Sequence, residues 1–298
     1  MSVEKTLIII AGPTAVGKTA LSIQLAQHFN CPIISFDSRQ FYDEMAIGTA
    51  KPTPEELAQA EHHFIGNLSI EDKYTAGMYE QEALAKLTEL FKSNDYCIAV
   101  GGSGLYIDAL AFGIDDIPAD EAIRIKLQNR WETEGLEALQ KEVLAIDPDF
   151  YHESDMMNPR RVVRALEVYE ITGKRYSELR KRSPKSRNFK MFWVGLNLER
   201  EELFERINKR VDIMMNEGLE AEVKALYPKR DRKALKTVGY RELFSFLDGE
   251  HSKERAVELI KRNTRQYAKR QITWFKKNEL VNWFRPEDGS KIIEEIIK

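Results

Sequence analysis

The chain contains the stretch Gly12-Pro13-Thr14-Ala15-Val16-Gly17-Lys18-Thr19, which fits the pattern G-x-x-x-x-G-K-[ST] at every fixed position. It follows an apolar run at residues 7–10 and leads into a helical pattern at residues 20–29. This strand–loop–helix context is the one in which the pattern binds phosphate, because the glycines let backbone N–H groups turn towards the anion and the helix N-terminus adds a favourable dipole. Lys18 would neutralise phosphate charge, and the Thr19 hydroxyl would coordinate Mg²⁺. The loop predicts a diphosphate or triphosphate ligand; the alternative is a strand-to-helix turn that binds nothing.

Short apolar runs recur between helical patterns along the chain. Runs rich in Ile, Val, Phe or Trp occupy residues 7–11, 32–36, 96–100, 191–198 and 280–284. Helical periodicity occupies residues 18–29, 76–93, 199–216, 219–227 and 252–277. Because buried parallel strands read as short continuous apolar runs, the alternation predicts an α/β fold with a parallel sheet core flanked by helices.

The alternation stops in the middle of the chain. Between residues 113 and 187 only helical patterns occur, at residues 121–131, 136–146 and 158–172. The strand pattern resumes at Met191. We therefore expect residues 1–112 and 188–298 to form the α/β core and residues 113–187 to form an inserted, all-helical domain.

The composition is that of a globular protein of 298 residues, with 43% hydrophobic and 31% charged residues. No apolar run approaches the length of a membrane span, and residues 1–5 do not have the form of a secretory signal. Cys31 and Cys97 each lie in an apolar, strand-like context, so we expect buried, reduced thiols rather than a disulfide or a metal pair. These features favour a cytoplasmic protein with no membrane association.

A net charge of −3 hides a marked asymmetry. Residues 115–155 carry twelve acidic and four basic residues, a balance of −8. Residues 159–190 carry eleven basic and three acidic residues, a balance of +8, and residues 253–277 carry nine and two, a balance of +7. Basic runs are often only solvated faces, but two of them in a protein of acidic isoelectric point favour a polyanionic partner.

Asp37 follows the second apolar run directly. Ligands of open α/β sheets bind outside the carboxyl ends of the strands, so Asp37 is expected close to the phosphate-binding loop. It could hold Mg²⁺ through water, or accept a proton from a nucleophile that approaches a bound phosphate ester. The alternative is a turn cap.

The third apolar run is followed by Gly101-Gly102-Ser103-Gly104. The glycines would allow another backbone or a flat ligand to approach closely, or they form only a tight turn. Many phosphate-loop NTPases have an aspartate at this strand end. Its absence, and the absence of an Asn-Lys-x-Asp motif, argue against an ATPase or a GTPase.

Two further groups could bind anions. Arg206 and Arg210 lie four residues apart on a predicted helix and could clamp a diphosphate bidentately, or form surface salt bridges. Residues 262–275 interleave cations with aromatic residues, which suits an RNA backbone with stacked bases, although Tyr267, Trp274 and Phe275 individually are expected in the core.

Taken together, these residues resemble the tRNA dimethylallyltransferases, also called tRNA isopentenyltransferases. The matching stretches occur in the family's order and comprise residues 12–19, 37–52, 101–106, 158–167, 238–241 and 264–274. The resemblance implies a P-loop NTPase-like fold and transfer of a dimethylallyl group from dimethylallyl diphosphate to the exocyclic amine of the adenosine 3′-adjacent to the anticodon. Eukaryotic members add a zinc-finger extension that this sequence lacks, so we expect a bacterial form.

The resemblance also implies roles for individual residues. Residues 12–19 would hold the diphosphate, Lys18 and a Thr19-bound Mg²⁺ would stabilise the leaving group, and Asp37 would be the general base. Ser103 stands where the family usually has threonine, and Arg210 resembles its diphosphate-contacting arginine. The implied tRNA contacts are Asp37, Ser38, Arg39, Gln40, Ser103, Arg124, Arg160, Arg161, Val162, Val163, Arg164, Lys236, Thr237, Val238, Gly239, Tyr240, Arg241, Lys269, Arg270, Gln271, Trp274 and Lys276.

The expected partners are the tRNA anticodon stem-loop and dimethylallyl diphosphate, bound by a monomeric enzyme that uses Mg²⁺. Three alternatives remain: a P-loop small-molecule kinase with ATP in the loop, a prenyltransferase that acts on free adenosine phosphates, and a non-catalytic RNA-binding NTP switch. The basic segments disfavour the kinase, and the helical insertion favours a macromolecular acceptor.

Overall fold

The computed structural model describes residues 4–181 and 183–298. Met1–Val3, part of the segment from which the absence of a secretory signal was inferred, lie outside the described residues, as does Arg182. The chain divides into two compact units. Unit 1 comprises Met1–Ala111 and Ser186–Lys298, and unit 2 comprises Phe112–Lys185. These divisions fall within two residues of the boundaries expected from the sequence.

Unit 1 contains a sheet of six parallel strands among the described residues. The strands are β1 (Thr6–Ala11), β2 (Ile33–Ser35), β3 (His62–His63), β4 (Tyr96–Gly101), β5 (Lys190–Leu196) and β6 (Asn282–Phe284), in the order β3-β2-β4-β1-β5-β6. In the register, Ile8 of β1 lies opposite Ile98 of β4 and Phe192 of β5. Every residue of β1 is buried because helices cover both faces of a parallel sheet, which explains the continuous apolar run. The predicted α/β fold with a parallel sheet is confirmed.

Helices connect the strands of unit 1 and make up the regular structure of unit 2. They are α1 (Lys18–Phe29), α2 (Pro54–Leu57), α3 (Ala76–Leu90), α4 (Gly104–Phe112), α5 (Glu121–Glu134), α6 (Leu136–Ile146), α7 (Pro148–Glu153), α8 (Pro159–Thr172), α9 (Tyr176–Leu179), α10 (Arg200–Asn216), α11 (Leu219–Leu226), α12 (Tyr240–Leu247), α13 (Lys253–Phe275) and α14 (Gly289–Ile297). Short 3₁₀ turns occupy Tyr227–Lys229 and Lys233–Leu235. In the described ranges, no helix is both long enough and apolar enough to span a bilayer.

Local sequence signals account for the limits of the helices that carry candidate residues. The Asn158 side chain caps α8 by accepting from the Arg160 N–H, and Pro159 occupies the first turn. The Ser252 hydroxyl caps α13 by accepting from the Arg255 N–H. The sequence patterns did not predict strand β3 or helices α2, α4, α7, α9, α12 and α14. Strand β3 has only two residues, and α4 begins inside the glycine-rich stretch that reads as a turn.

Both cysteines are free, and both are buried as the sequence predicts. Burial raises the pKa of each thiol to about 12 because the charged thiolate is poorly solvated in the core. Neither thiol is therefore activated as a nucleophile.

Unit 2 has a hydrophobic core of its own. Leu127, Leu139, Val143 and Phe150 pack together with residues of α8 in this core. Asp147 is buried and accepts hydrogen bonds from the Phe150 N–H at 3.1 Å and from the Ser177 N–H at 2.8 Å.

Candidate active site

A cavity of about 740 Å³ opens at the carboxyl ends of β1, β2 and β4. The segments that follow these three strands line it, together with side chains of α10 and α13. All of its lining residues belong to unit 1. Neighbouring parallel strands end at the same edge of the sheet, so the predicted loop, Asp37 and the glycine-rich turn meet there.

Two cations line the cavity beside the phosphate-binding loop, Lys18 of the loop itself and Arg210 of helix α10. Lys18 Nζ donates hydrogen bonds to the carbonyl oxygens of Gly12 at 3.1 Å and Pro13 at 2.7 Å. Burial lowers the pKa of Lys18 to about 8; the Asp37 carboxylate opposes this shift and Arg210 adds to it. Arg210 Nη1 donates to Thr14 Oγ1 at 3.4 Å. Burial lowers the pKa of Arg210 as well. Two desolvated cations beside a loop of backbone N–H groups are chemically suited to hold an anion.

Arg206 and Arg210 do not act as a symmetric pair. Arg206 also lines the cavity, but its guanidinium binds Glu202 of the same helix at 3.0 Å near the surface. The surface salt bridge considered from the sequence is therefore formed by Arg206, and the loop contact by Arg210.

Asp37 lies just beyond β2 and lines the same cavity as Lys18. Its Oδ1 accepts a hydrogen bond from the Arg39 N–H at 3.1 Å, so the turn cap considered as an alternative does form. The carboxylate retains further lone pairs, and it raises the pKa of both Lys18 and Arg210. A turn-forming role and a proton-accepting role are thus compatible.

Ser103 is joined to the segment that contains Asp37 by hydroxyl contacts. Its Oγ accepts from the Ser38 N–H at 2.9 Å and lies 2.9 Å from Ser38 Oγ. The Tyr267 hydroxyl also hydrogen-bonds to Ser103, and burial together with Asp37 raises the pKa of Tyr267 to about 12. Tyr267 was expected in the core, but it lines the cavity. Its spacing of four and seven residues from Gln271 and Trp274 is the sequence signal that could have identified it.

The glycines of the turn after β4 are needed mainly because helix α13 packs closely on them. A Cβ on Gly102 would lie 2.2 Å from Gln271 Nε2, and one on Gly104 would lie 2.3 Å from Trp274 Cδ1. Backbone comes closest at Gly101, where Asp37 N lies 2.8 Å from the position of a Cβ; at Gly102 the Gly12 carbonyl oxygen lies 3.6 Å from it. The flat ligand considered from the sequence is not what fills the space at Gly102 and Gly104; side chains of α13 fill it.

Glu222 organises the loop that follows Asp37, a role that the sequence did not suggest. Its carboxylate accepts hydrogen bonds from the N–H groups of Ala46, Ile47 and Gly48 at 3.0, 2.7 and 3.0 Å. The Tyr240 hydroxyl donates to the same carboxylate at 2.6 Å. Since Gly48 and Thr49 line the cavity, Glu222 fixes part of its wall from outside.

Three of the residues expected to contact tRNA have side chains that are buried inside the protein. Val162 and Val163 are 0% and 4% exposed in the core of unit 2, and Tyr240 is fully buried on Glu222. The structure corrects the expected side-chain contacts at these three positions, because their side chains do not reach the surface.

Other polar candidates are held in internal hydrogen bonds. Arg124 and Arg164 bind the buried Glu167 at 2.7 and 3.0 Å. Gln40 Nε2 donates to the Ala50 carbonyl at 2.9 Å, and Arg39 Nη1 donates to the Ala234 carbonyl at 2.8 Å. Gly239 is buried at the start of helix α12, where its N–H donates to Glu242 Oε2 at 2.8 Å. The Gln271 side chain is also buried. These groups shape the surface rather than present a free side chain to it.

The remaining candidates are accessible. Thr237 and Val238 are half-buried and line the cavity. The exposed residues are Arg160, Arg161, Lys236, Arg241, Lys269, Arg270, Trp274 and Lys276. Seven of these eight are cations, which suits contact with a polyanion.

Comparison with known proteins gives one consistent family. A model of the family "IPP transferase" matches residues 40–278, a range that begins after the phosphate-binding loop and therefore does not depend on it. The tRNA dimethylallyltransferase of Flavobacterium johnsoniae is 50% identical over 99% of this chain and 98% of its own length. That of Christiangramia forsetii is 50% identical over 98% and 97%.

Solved structures agree. The full-length tRNA isopentenylpyrophosphate transferase of Bacillus halodurans is 38% identical, with a TM-score of 0.71 over 98% of this chain and 94% of that chain. A eukaryotic dimethylallyltransferase, solved acting on tRNA, is 30% identical, with a TM-score of 0.75 over 91% of this chain and 69% of that chain.

Proposed function

The chain belongs to the tRNA dimethylallyltransferase (IPP transferase) family and is a prenyltransferase that acts on tRNA; we propose that it transfers the dimethylallyl group from dimethylallyl diphosphate to the N6 amine of the adenosine 3′-adjacent to the anticodon, releasing diphosphate. The observation that carries this proposal is that one cavity contains both the anion-binding loop and Asp37. The small-molecule kinase is not favoured, because the relatives across the whole chain are tRNA-modifying transferases.

The donor side of the reaction is assigned to the loop. Its backbone N–H groups, Lys18 and Arg210 would bind the diphosphate and stabilise the negative charge that develops on it as the C–O bond breaks. Such preorganised electrostatic stabilisation is worth several kcal/mol, about 3–4 kcal/mol for a single donor in the best-measured cases. It is the main requirement, because departure of the diphosphate leaves resonance-stabilised positive charge on the allylic group.

A Mg²⁺ ion fits the donor set of the cavity. Thr19 lies in the first turn of α1 and lines the cavity, so its hydroxyl offers a hard oxygen ligand. Mg²⁺ would take its remaining ligands from phosphate and water. The ion would neutralise charge on the diphosphate.

The acceptor side is assigned to Asp37. The adenine amine is a poor nucleophile because its lone pair is delocalised into the ring. As the N–C bond forms to the allylic carbon, the amine must lose a proton, and the Asp37 carboxylate would accept it. General-base catalysis of this kind contributes about 10²–10⁴-fold.

The tRNA would be held by the exposed cations of both units. Its target base must leave the stack of the loop to enter the cavity, at a cost of about a few kcal/mol that phosphate contacts offset. The two free, buried cysteines and the tRNA substrate support a cytoplasmic location of the enzyme.

The direct test is a product assay. Purified protein is mixed with an unmodified tRNA transcript or with AMP, each in the presence of dimethylallyl diphosphate or ATP, and the digested nucleosides are analysed by mass. We expect prenylated adenosine only from tRNA with the diphosphate donor. A matched transcript with guanosine at the target position is the control. Prenylated AMP without prenylated tRNA, or ATP consumption alone, would contradict the proposal.

A further inference from the structure

Gln271 connects the two halves of the candidate active site. It lies on α13, and its side chain is 5% exposed. Oε1 accepts a hydrogen bond from the Thr14 N–H of the phosphate-binding loop at 2.9 Å. Nε2 donates to the Gly102 carbonyl of the turn after β4, also at 2.9 Å. One buried amide therefore joins the loop after β1 to the turn after β4.

This bridge lies where the sheet can no longer hold the two segments together. Strands β1 and β4 pair in register up to Ala11 and Gly101, and the chain segments beyond that pair have no ladder partner in each other. The Gln271 amide supplies one acceptor to the first segment and one donor to the second. The fit is close, since a Cβ on Gly102 would lie 2.2 Å from Nε2.

Each segment that Gln271 joins carries a group of the proposed reaction. On the loop side, the Thr14 hydroxyl accepts from Arg210, which is assigned to the diphosphate. On the turn side, Gly102 precedes Ser103, which is hydrogen-bonded to Ser38 beside Asp37. The distance between the leaving group and the proton acceptor is therefore set partly through this amide.

The neighbours of Gln271 on the same helix face reinforce the contact. Tyr267 hydrogen-bonds to Ser103 and Trp274 lies against Gly104, so three side chains spaced four and three residues apart each contact one residue of the turn. The Trp274 indole N–H also donates to Asp108 Oδ2 at 2.9 Å. Gln271 is the member of this face that reaches the phosphate-binding loop.

We propose that Gln271 is a positioning residue that fixes the donor-binding loop relative to the Ser103 turn, so that the allylic carbon and the acceptor amine meet at reacting distance. This inference rests on the proposed function. It differs from the tRNA contact expected for Gln271, because the buried amide acts on the protein backbone and not on RNA. Misplacement of reacting groups by about 1 Å can cost 10²-fold in rate.

The test compares three substitutions by single-turnover kinetics at saturating substrates. Gln271→Met keeps the length but loses both hydrogen bonds, and Gln271→Asn keeps the amide but is one methylene too short to span the gap. For both we expect a rate about 10- to 100-fold lower than that of the wild type. The dissociation constant for tRNA and its salt dependence should stay within about twofold, because no phosphate contact is removed.

Gln271→Glu adds a readout that a merely structural role would not produce. The ionised carboxylate still accepts from the Thr14 N–H but has no proton to donate to the Gly102 carbonyl, whereas the protonated acid can do both. The rate relative to the wild type should therefore rise as the pH falls from about 8 to about 6, and the relative rate of Gln271→Met should not. Gln266→Glu, an exposed position on the same helix, makes the same charge change as a control.

The outcomes separate the two claims. A Gln271→Met or Gln271→Asn rate within twofold of the wild type, per folded molecule, would overturn the positioning role and leave the proposed function intact. If either variant does not fold, the pH dependence of Gln271→Glu relative to Gln266→Glu decides, and equal profiles would overturn the role. A wild-type enzyme that does not prenylate tRNA would overturn the proposed function itself.

Discussion

Three charged side chains set the chemistry of the cavity at the scale of single residues. Lys18 and Arg210 are cations whose pKa values burial lowers, and the Asp37 carboxylate raises both. A ligand that brings negative charge to the two cations would lessen their desolvation penalty. The two cations lie in the same cavity as the carboxylate, which is the arrangement that the proposed transfer requires of an anion-binding group and a proton acceptor.

Replacement of Asp37 tests the proposed base. Asp37→Asn keeps an acceptor for the Arg39 N–H, so the turn should persist, but the amide cannot take the proton of the amine. We expect turnover to fall by about 10²–10⁴-fold while tRNA affinity changes much less. The measurements are steady-state kinetics and a filter-binding titration. Asp43→Asn, a well exposed position in the same segment, is the control; equal losses of turnover and affinity in Asp37→Asn would contradict the base role.

The pKa of Lys18 predicts a pH-dependent affinity for diphosphate. Because burial lowers this pKa from 10.5 to about 8, the free protein loses the ammonium charge as the pH rises through 8. Bound diphosphate raises the pKa again, since a nearby anion favours the charged form. Pyrophosphate affinity, measured calorimetrically with Mg²⁺, should therefore weaken above pH 8 by a factor that approaches about tenfold per pH unit.

Lys18→Met removes this titration and provides the reference. The ratio of wild-type to variant affinity at each pH cancels the titration of pyrophosphate itself. We expect the ratio to be constant below about pH 7 and to shrink above about pH 8. A ratio that does not change across this range would show that Lys18 does not titrate where burial places it.

At the scale of elements, single helices organise segments distant in sequence. Helix α11 presents Glu222 to three successive N–H groups of the loop after Asp37, and α13 presents Gln271 to the loop and the turn. These contacts explain why a polar loop and a glycine-rich turn can hold fixed positions without belonging to the sheet.

Loss of the Glu222 carboxylate should destabilise the fold more than loss of a surface glutamate on the same helix. Glu222→Ala leaves three N–H groups and the Tyr240 hydroxyl without their acceptor, so the free energy of unfolding should fall by roughly 2–3 kcal/mol. Glu220→Ala removes only surface pairs with Lys224 and Lys253 and should cost less than about 1 kcal/mol. Urea denaturation measures both, and equal costs would contradict the structural role of Glu222.

The basic N-terminus of α8 is the element of unit 2 to test for tRNA binding. Arg160 and Arg161 are exposed, whereas Val162 and Val163 are in the core. The double variant Arg160→Ala/Arg161→Ala should weaken tRNA binding and lower the slope of log affinity against log salt by about 0.7–0.9 for each phosphate contact removed. Turnover at saturating tRNA should be maintained. Lys141→Ala, an exposed cation of acidic helix α6, is the control; the same loss of affinity in both variants would argue against a specific role for α8.

At the scale of the whole molecule, the two units divide the proposed work. All residues that line the cavity lie in unit 1, and unit 2 has its own core. The ends of unit 2 lie next to each other, because the Lys185 N–H donates to the Phe112 carbonyl at 2.8 Å. A unit whose ends meet can be inserted into a loop of another fold without disturbing its core.

Excision of unit 2 should therefore separate donor binding from tRNA binding. A chain in which a short Gly/Ser linker joins Ala111 to Ser186 should fold and bind pyrophosphate within about threefold of the full chain, while tRNA binding falls by about 10²-fold. Circular dichroism checks that the shortened chain folds, calorimetry measures its pyrophosphate affinity, and a titration measures its tRNA affinity. A truncated chain that folds and binds tRNA as tightly as the full chain would contradict the proposed role of unit 2.

Much of this protein follows from local sequence. The fixed positions of residues 12–19 identified the loop, and the apolar runs identified β1, β2, β4, β5 and β6, because a strand buried on both faces must be apolar along its length. The position of Asp37 in the cavity followed in turn, since parallel strands end at one edge of the sheet.

The tertiary structure alone decided which side chains meet in the site and which are buried. Gln271 lies 257 residues from Thr14 and 169 from Gly102, Glu222 lies about 175 residues from the loop that it holds, and no spacing rule reaches across such distances. Packing also decided the burial of Val162, Val163 and Tyr240. These residues lie in stretches that the sequence predicts to contact tRNA, but their side chains are in the core. A motif fixes the conformation of neighbouring residues, whereas the contacts of a side chain depend on how distant elements pack around it.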